Sequence, residues 1–136
     1  MRIRTHGFLC CIALLTAATS LLKITAAAQQ PTFHNAPPSE AEMKNPYSRS
    51  AGAAAAGRTV YAKNCAQCHG KNLQGMGPAP ALDTPSVRKA KPGELFWFIT
   101  NGKPSSGMPS WVNLTKQQRW QIVSFLQSNG EKAAAK

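Results

Sequence analysis

Cys65, Cys68 and His69, in the run Cys65-Ala66-Gln67-Cys68-His69, are the residues whose types and spacing most directly imply chemistry. Two thiols two residues apart, followed at once by an imidazole, form the attachment pattern of a c-type haem. The reaction explains the spacing. Each thiol adds to one vinyl group of the porphyrin, so both must be reached from one turn of backbone. The histidine then falls beneath the ring, where its imidazole can take one axial position on the iron. The other axial ligand must come from elsewhere, and His with Met is the pairing of a high-potential electron carrier.

Met108, in Gly107-Met108-Pro109, is the best-placed methionine. Enough chain separates it from His69 for one helix and a return to the far face of the ring. Pro104 and Pro109 stiffen its loop, and Gly107 permits close approach of backbone to the ring. Met76 follows His69 too closely to reach the far face, and it reads as a packing or surface residue. Met43 and His34 lie in a proline-rich stretch that would order poorly around a metal.

Other uses of the cysteines require partners that the sequence does not offer. A zinc site needs a second ligand pair, yet the other cysteines are Cys10 and Cys11 near the N-terminus. A thioredoxin-like dithiol needs a βαβ setting, and none is visible. An open sixth coordination position would make the chain a gas-binding or peroxidatic haem protein, the alternative function that remains.

The 136 residues predict one domain, and the net charge of +11 predicts anionic partners. The bases are scattered, which argues against nucleic acid. Residues 1–28 read as a signal peptide. Arg2 and Arg4 precede an apolar run from Phe8 to Leu22, and Ala26-Ala27-Ala28 supplies small residues before a cut ahead of Gln29. The run is short for a membrane span, so no stable insertion is expected. Cys10 and Cys11 would leave with it. Export to the periplasm matters because bacteria attach haem covalently outside the cytoplasm.

Residues 29–51, with Pro31, Pro37, Pro38 and Pro46, are expected to be a flexible linker. A helix is expected over 51–64, where an alanine run favours it and Gly57, Val60 and Tyr61 share a face. Gly57 would let a second helix cross closely. Residues 70–82, rich in Gly and Pro, predict a loop. A buried helix is expected from Pro92 or Gly93 through Leu95–Ile99 to Asn101-Gly102. Thr115 and Gln118 form a capping box that opens the last helix, with Ile122, Phe125 and Leu126 on its buried face. That helix is expected to stop at Asn129-Gly130, leaving 130–136 as a frayed tail. The fold class is therefore all-α, three or more short helices around one haem, in a domain over 52–129.

Over that range the chain resembles a class I cytochrome c. Gly57 and Tyr61 resemble the family's glycine and aromatic on its first helix. Ile122 and Phe125 resemble the pair on the last helix that crosses them, and Met108-Pro109 resembles the Met-Pro of the distal loop. Pro80 and Leu82 resemble a Pro-x-Leu whose proline carbonyl accepts the Nδ1–H of the haem histidine, with Pro78 as the alternative. The resemblance implies the cytochrome c fold, one covalent haem c, and a monomeric electron carrier rather than an enzyme. Pro92–Phe98, Gly107–Trp111 and Arg119-Trp120 further resemble small bacterial cytochromes that serve quinoprotein-type dehydrogenases. This implies a periplasmic dehydrogenase and a terminal oxidase as redox partners. The scattered lysines, such as Lys71, Lys89, Lys91 and Lys103, read mostly as a solvated surface, and those nearest the haem edge would steer an acidic partner.

Overall fold

A computed structural model describes residues 35–134, with side chains to Ser128. The signal peptide, Cys10, Cys11 and His34 lie outside the described residues. Six helices and no strand occur among those described: α1 Pro38–Ala41, α2 Ala51–Asn64, α3 Ala66–His69, α4 Pro85–Lys89, α5 Pro92–Asn101 and α6 Lys116–Ala134. The fold is all-α, as expected.

Two long helices make the frame. The hydroxyl of Ser50 caps α2 by accepting from the Ala53 amide at 3.1 Å. The expected capping box opens α6: the Gln118 amide donates to Thr115 Oγ1 at 3.1 Å, and the Thr115 amide to Gln118 Oε1 at 2.9 Å. The helices cross at Gly57, where a Cβ would lie 1.9 Å from the backbone oxygen of Gln121. Only glycine admits that approach. Beside the crossing, the rings of Tyr61 and Phe125 sit 5.2 Å apart, and Ile122 and Val123 are fully buried.

Helix α5 packs on this frame. Leu95, Phe96 and Ile99 are buried, while Trp97 and Phe98 are half-exposed. Phe96 stacks on Trp120, centroids 4.1 Å apart. Glu94 Oε2 accepts from the Lys91 amide at 3.1 Å and so caps the helix start.

Three features differ from the sequence reading. Helix α4 was not anticipated, although Thr84 caps it through Val87 at 3.3 Å and Pro85 sits in its first turn. Helix α6 runs through Asn129-Gly130 to Ala134; one glycine costs only about 1 kcal/mol in a helix, and the following Lys and Ala residues favour continuation. Most of the expected linker from residue 38 on is folded against the domain. Asn45 is buried, and its amide donates to Ser124 Oγ at 2.9 Å and to the Trp120 carbonyl at 3.3 Å. Met43 and Tyr47 pack beside the core. A Cβ on Gly93 would lie 2.0 Å from the Glu40 oxygen, so α1 rests directly on α5. Composition suggested too few apolar groups to order this stretch, but a buried amide network and backbone contact hold it.

Candidate functional site

Helix α2 delivers the haem motif at its end. Cys65 closes α2 with its amide on the Tyr61 carbonyl at 2.8 Å. The chain then makes the single turn α3, in which the His69 amide donates to Cys65 O at 2.9 Å. Cys65 and Cys68 thus lie one turn apart, which brings their side chains to neighbouring positions. Both thiols are free, Cys65 half-buried and Cys68 exposed. Burial pushes the Cys65 thiol up to about 11, and Cys68 beside it adds in the same direction.

The loop after His69 folds back on itself to orient the ring. Gly75 has a φ of +77°, and a Cβ there would lie 2.6 Å from the Ala81 nitrogen. This close return brings the Pro80 carbonyl to 2.9 Å from His69 Nδ1. A carbonyl can only accept, so Nδ1 carries the proton and Nε2 presents a lone pair. Nε2 makes no hydrogen bond among the described residues. Of the two prolines left open by the sequence, Pro80 makes this contact; Pro78 sits in the Met76–Ala79 turn, exposed.

Met108 stands on a separate loop, half-exposed. Its amide donates to the Lys103 carbonyl at 3.2 Å and its carbonyl accepts from Lys103 at 2.9 Å, a one-rung bridge. A 3-10 turn over Pro104–Ser106 and Gly107 at φ +78° complete the loop. Gly102 is required below it, because a Cβ would lie 2.4 Å from the Pro109 oxygen. The exit is hung from α5: the Trp111 amide donates to the Ile99 and Thr100 carbonyls at 3.2 Å, and Ser110 Oγ to Thr100 O at 2.7 Å. Met76 is 54% exposed on its turn, in keeping with a surface residue. Met43 packs on the core.

These residues fit a haem c. The two thiols are unpaired and one turn apart. The imidazole is held by Nδ1 with Nε2 available. A thioether stands on a braced loop, and Trp97, Phe98, Leu82 and Trp111 are apolar and only half-covered. A zinc site fits less well: no group of three His, Cys, Asp or Glu among the described residues could hold a metal ion. Adjacent in sequence, Cys65, Cys68 and His69 do not converge. A groove of about 520 Å³ between Arg49, Arg58 and Phe125 shares no residue with this set.

Two supports escaped the sequence. The Tyr61 hydroxyl donates to the Gly70 carbonyl at 2.8 Å, tying α2 to the residue after the histidine. Arg119 Nη1 donates to Thr100 Oγ1 at 2.7 Å, tying α6 to α5. The aromatic at Tyr61 was a visible signal for the first. No local pattern points to the second.

The profile described as "Cytochrome C oxidase, cbb3-type, subunit III" matches residues 52–126. The chain is 38% identical over 74 residues to the cbb3-type cytochrome c oxidase subunit CcoP of Azospirillum brasilense, covering 49% of this chain and 25% of that protein. It is 37% identical over 87 residues to cytochrome c6 of Rippkaea orientalis, covering 60% and 75%. It is 38% identical over 61 residues to cytochrome c55X of Pseudomonas aeruginosa, covering 44% and 50%. It thus spans a quarter of the first relative's length and half of the third's. Among solved structures, it is similar to cytochrome CL of the marine methylotroph Methylophaga aminisulfidivorans, with a TM-score of 0.53 and 29% identity over 60% of this chain and 56% of that one.

Proposed function

As the chain belongs to the class I, mono-haem cytochromes c, we propose that it is a periplasmic one-electron carrier, holding its haem c through Cys65 and Cys68 and ligating the iron with His69 and Met108. The covalently bound haem supplies the redox chemistry, one electron at a time at its iron. The protein makes and breaks no substrate bonds. Its residues hold, orient and shield. The Pro80 carbonyl fixes the tautomer and orientation of His69 and raises its basicity. A soft thioether from Met108 favours the ferrous state and so a high potential.

The observation that carries this reading is the His69 Nδ1 to Pro80 O contact of 2.9 Å, beside two free thiols on one turn. It leaves Nε2 as a ligand with nothing else to bind. A haem stain after a denaturing gel tests attachment: Cys65→Ser with Cys68→Ser should leave no covalent haem. The near-infrared Met–Fe(III) band with carbon monoxide binding tests ligation. Met108→Ala should retain haem, lose the band, lower the potential and admit carbon monoxide, whereas Met76→Ala should change none of these. A wild type without the band that binds carbon monoxide readily would replace the carrier with a gas-binding protein.

A periplasmic dehydrogenase as donor and a terminal oxidase as acceptor suit such a carrier. The oxidase side is supported by the likeness to a protein named as an oxidase subunit. No helix among the described residues is long and apolar enough to cross a membrane.

A further inference from the structure

The loop bearing Met108 leaves α5 at Gly102 and enters α6 at Thr115. One side chain ties these two roots together. Arg119, in the first turn of α6, reaches back so that its Nη1 donates to Thr100 Oγ1 at 2.7 Å. Thr100 Oγ1 donates in turn to the Phe96 carbonyl at 2.7 Å. The guanidinium carbon stands 5.0 Å over the Phe96 ring. Thr100 also holds the loop's exit, because its carbonyl accepts from Ser110 Oγ at 2.7 Å and from the Trp111 amide at 3.2 Å. Ser110 is two residues past Met108.

A charge in this place needs a reason. Arg119 Nε is buried and makes no hydrogen bond. The ion pairs among the described residues, Asp83–Arg88 and Glu42–Lys91, leave Arg119 without a carboxylate. A cation in the first turn of α6 is also badly placed for that helix, whose N-terminal end is positive. It is well placed for α5, whose last turn contains Thr100 and whose C-terminal end is negative. The aromatic face of Phe96 adds a further attraction. An apolar residue of similar volume would serve core stability as well as a half-buried charge does. What such a residue could not do is hold Thr100 to α6.

We propose that Arg119 is a positioning residue for the sixth ligand: through Thr100 and Ser110 it clamps the two roots of the Met108 loop and slows release of Met108 from the iron. The inference rests on the His69/Met108 reading, and its test separates the two. The probe is cyanide added to the ferric holoprotein. At saturating cyanide the rate of binding is limited by departure of Met108. Loss of one hydrogen bond to a charged group predicts acceleration of about tenfold in Arg119→Met. Thr100→Val, which removes the acceptor and keeps the shape, should accelerate binding similarly. Arg119→Lys should fall between, because it retains the charge without the planar fork. In the double variant, Thr100→Val should add nothing to Arg119→Met, since both cut one connection.

Cyanide rates equal to wild type in folded Arg119→Met would overturn the clamp. So would full additivity in the double variant, which would mean two independent structural losses. If Arg119→Met does not fold, Thr100→Val decides, because it removes the acceptor of the same hydrogen bond; an unchanged rate there also overturns the clamp. A wild-type spectrum lacking the Met–Fe(III) band removes the ligation reading and the clamp with it. A wild-type band together with unchanged variants removes the clamp alone.

Discussion

Tyr61 joins the first long helix to the turn that carries His69. Tyr61 is 2% exposed, and its hydroxyl donates to the Gly70 carbonyl at 2.8 Å. Tyr61→Phe should retain haem and lose about 1–2 kcal/mol, because a buried carbonyl is left without its donor. Burial raises the Tyr61 hydroxyl above its ordinary value of 10.0, and Cys65 nearby adds to the shift. The folded protein therefore holds this proton more tightly than the unfolded chain does. The resulting stabilisation is complete below the unfolded value and is lost as pH rises through it towards the folded value. Denaturant midpoints for wild type and Tyr61→Phe, at neutral pH and above pH 10, measure this. The gap between the two should narrow in alkali, and a constant gap would contradict it. At this scale much was legible. The motif of Cys65, Cys68 and His69 is visible in its spacing, and family likeness left Pro80 or Pro78, of which Pro80 meets His69 Nδ1. The hydroxyl bond of Tyr61 was not legible, because its acceptor is a backbone carbonyl that any residue could supply.

Helix placement was legible where the signal was local. The alanine run and the Thr115–Gln118 box gave the starts of α2 and α6. The segment from Pro38 to Ser50 was misread because its anchors are remote: Asn45 meets Ser124, 79 positions away. Helix α4 carried a Thr-Pro start, but at five residues it has too short a pattern to declare a period. The crossing of α2 and α6 gives a test with opposite signs on one helix. A Cβ at Gly57 would press on the Gln121 backbone, which cannot move aside as a side chain can. Gly57→Ala should destabilise the holoprotein by about 3 kcal/mol, at the upper end of ordinary overpacking. Gly52, four residues from Ala56 on the same helix, has nothing within 4 Å of a built Cβ. Gly52→Ala should stabilise by about 0.5 kcal/mol through the reduced freedom of the unfolded chain. Guanidinium unfolding of the two variants measures both, and equal shifts would place the tight crossing elsewhere.

Charge is distributed unevenly over the whole molecule. The chain carries 16 bases and 5 acids. The five acids are Glu40, Glu42, Asp83, Glu94 and Glu131, and none lies between residues 43 and 82 or between 95 and 130. Three of them are locally engaged: Glu42 with Lys91, Asp83 with Arg88, and Glu94 as the cap of α5. The loop after His69 presents Lys71, its one acid, Asp83, being paired with Arg88, and the Met108 loop presents Lys103 with no acid. Such a field raises the encounter rate with an acidic redox protein and is weakened as salt shortens the Debye length. Electron exchange with an acidic soluble reductant, followed at the haem by stopped flow, should slow about tenfold as ionic strength rises from low to physiological values. Lys71→Glu combined with Lys103→Glu should slow the reaction at low salt and flatten this dependence. Lys89→Glu, on α4 rather than on either loop, should leave it nearly unchanged. An equal loss from both changes would mean that net charge alone, rather than its placement on these two loops, governs the encounter.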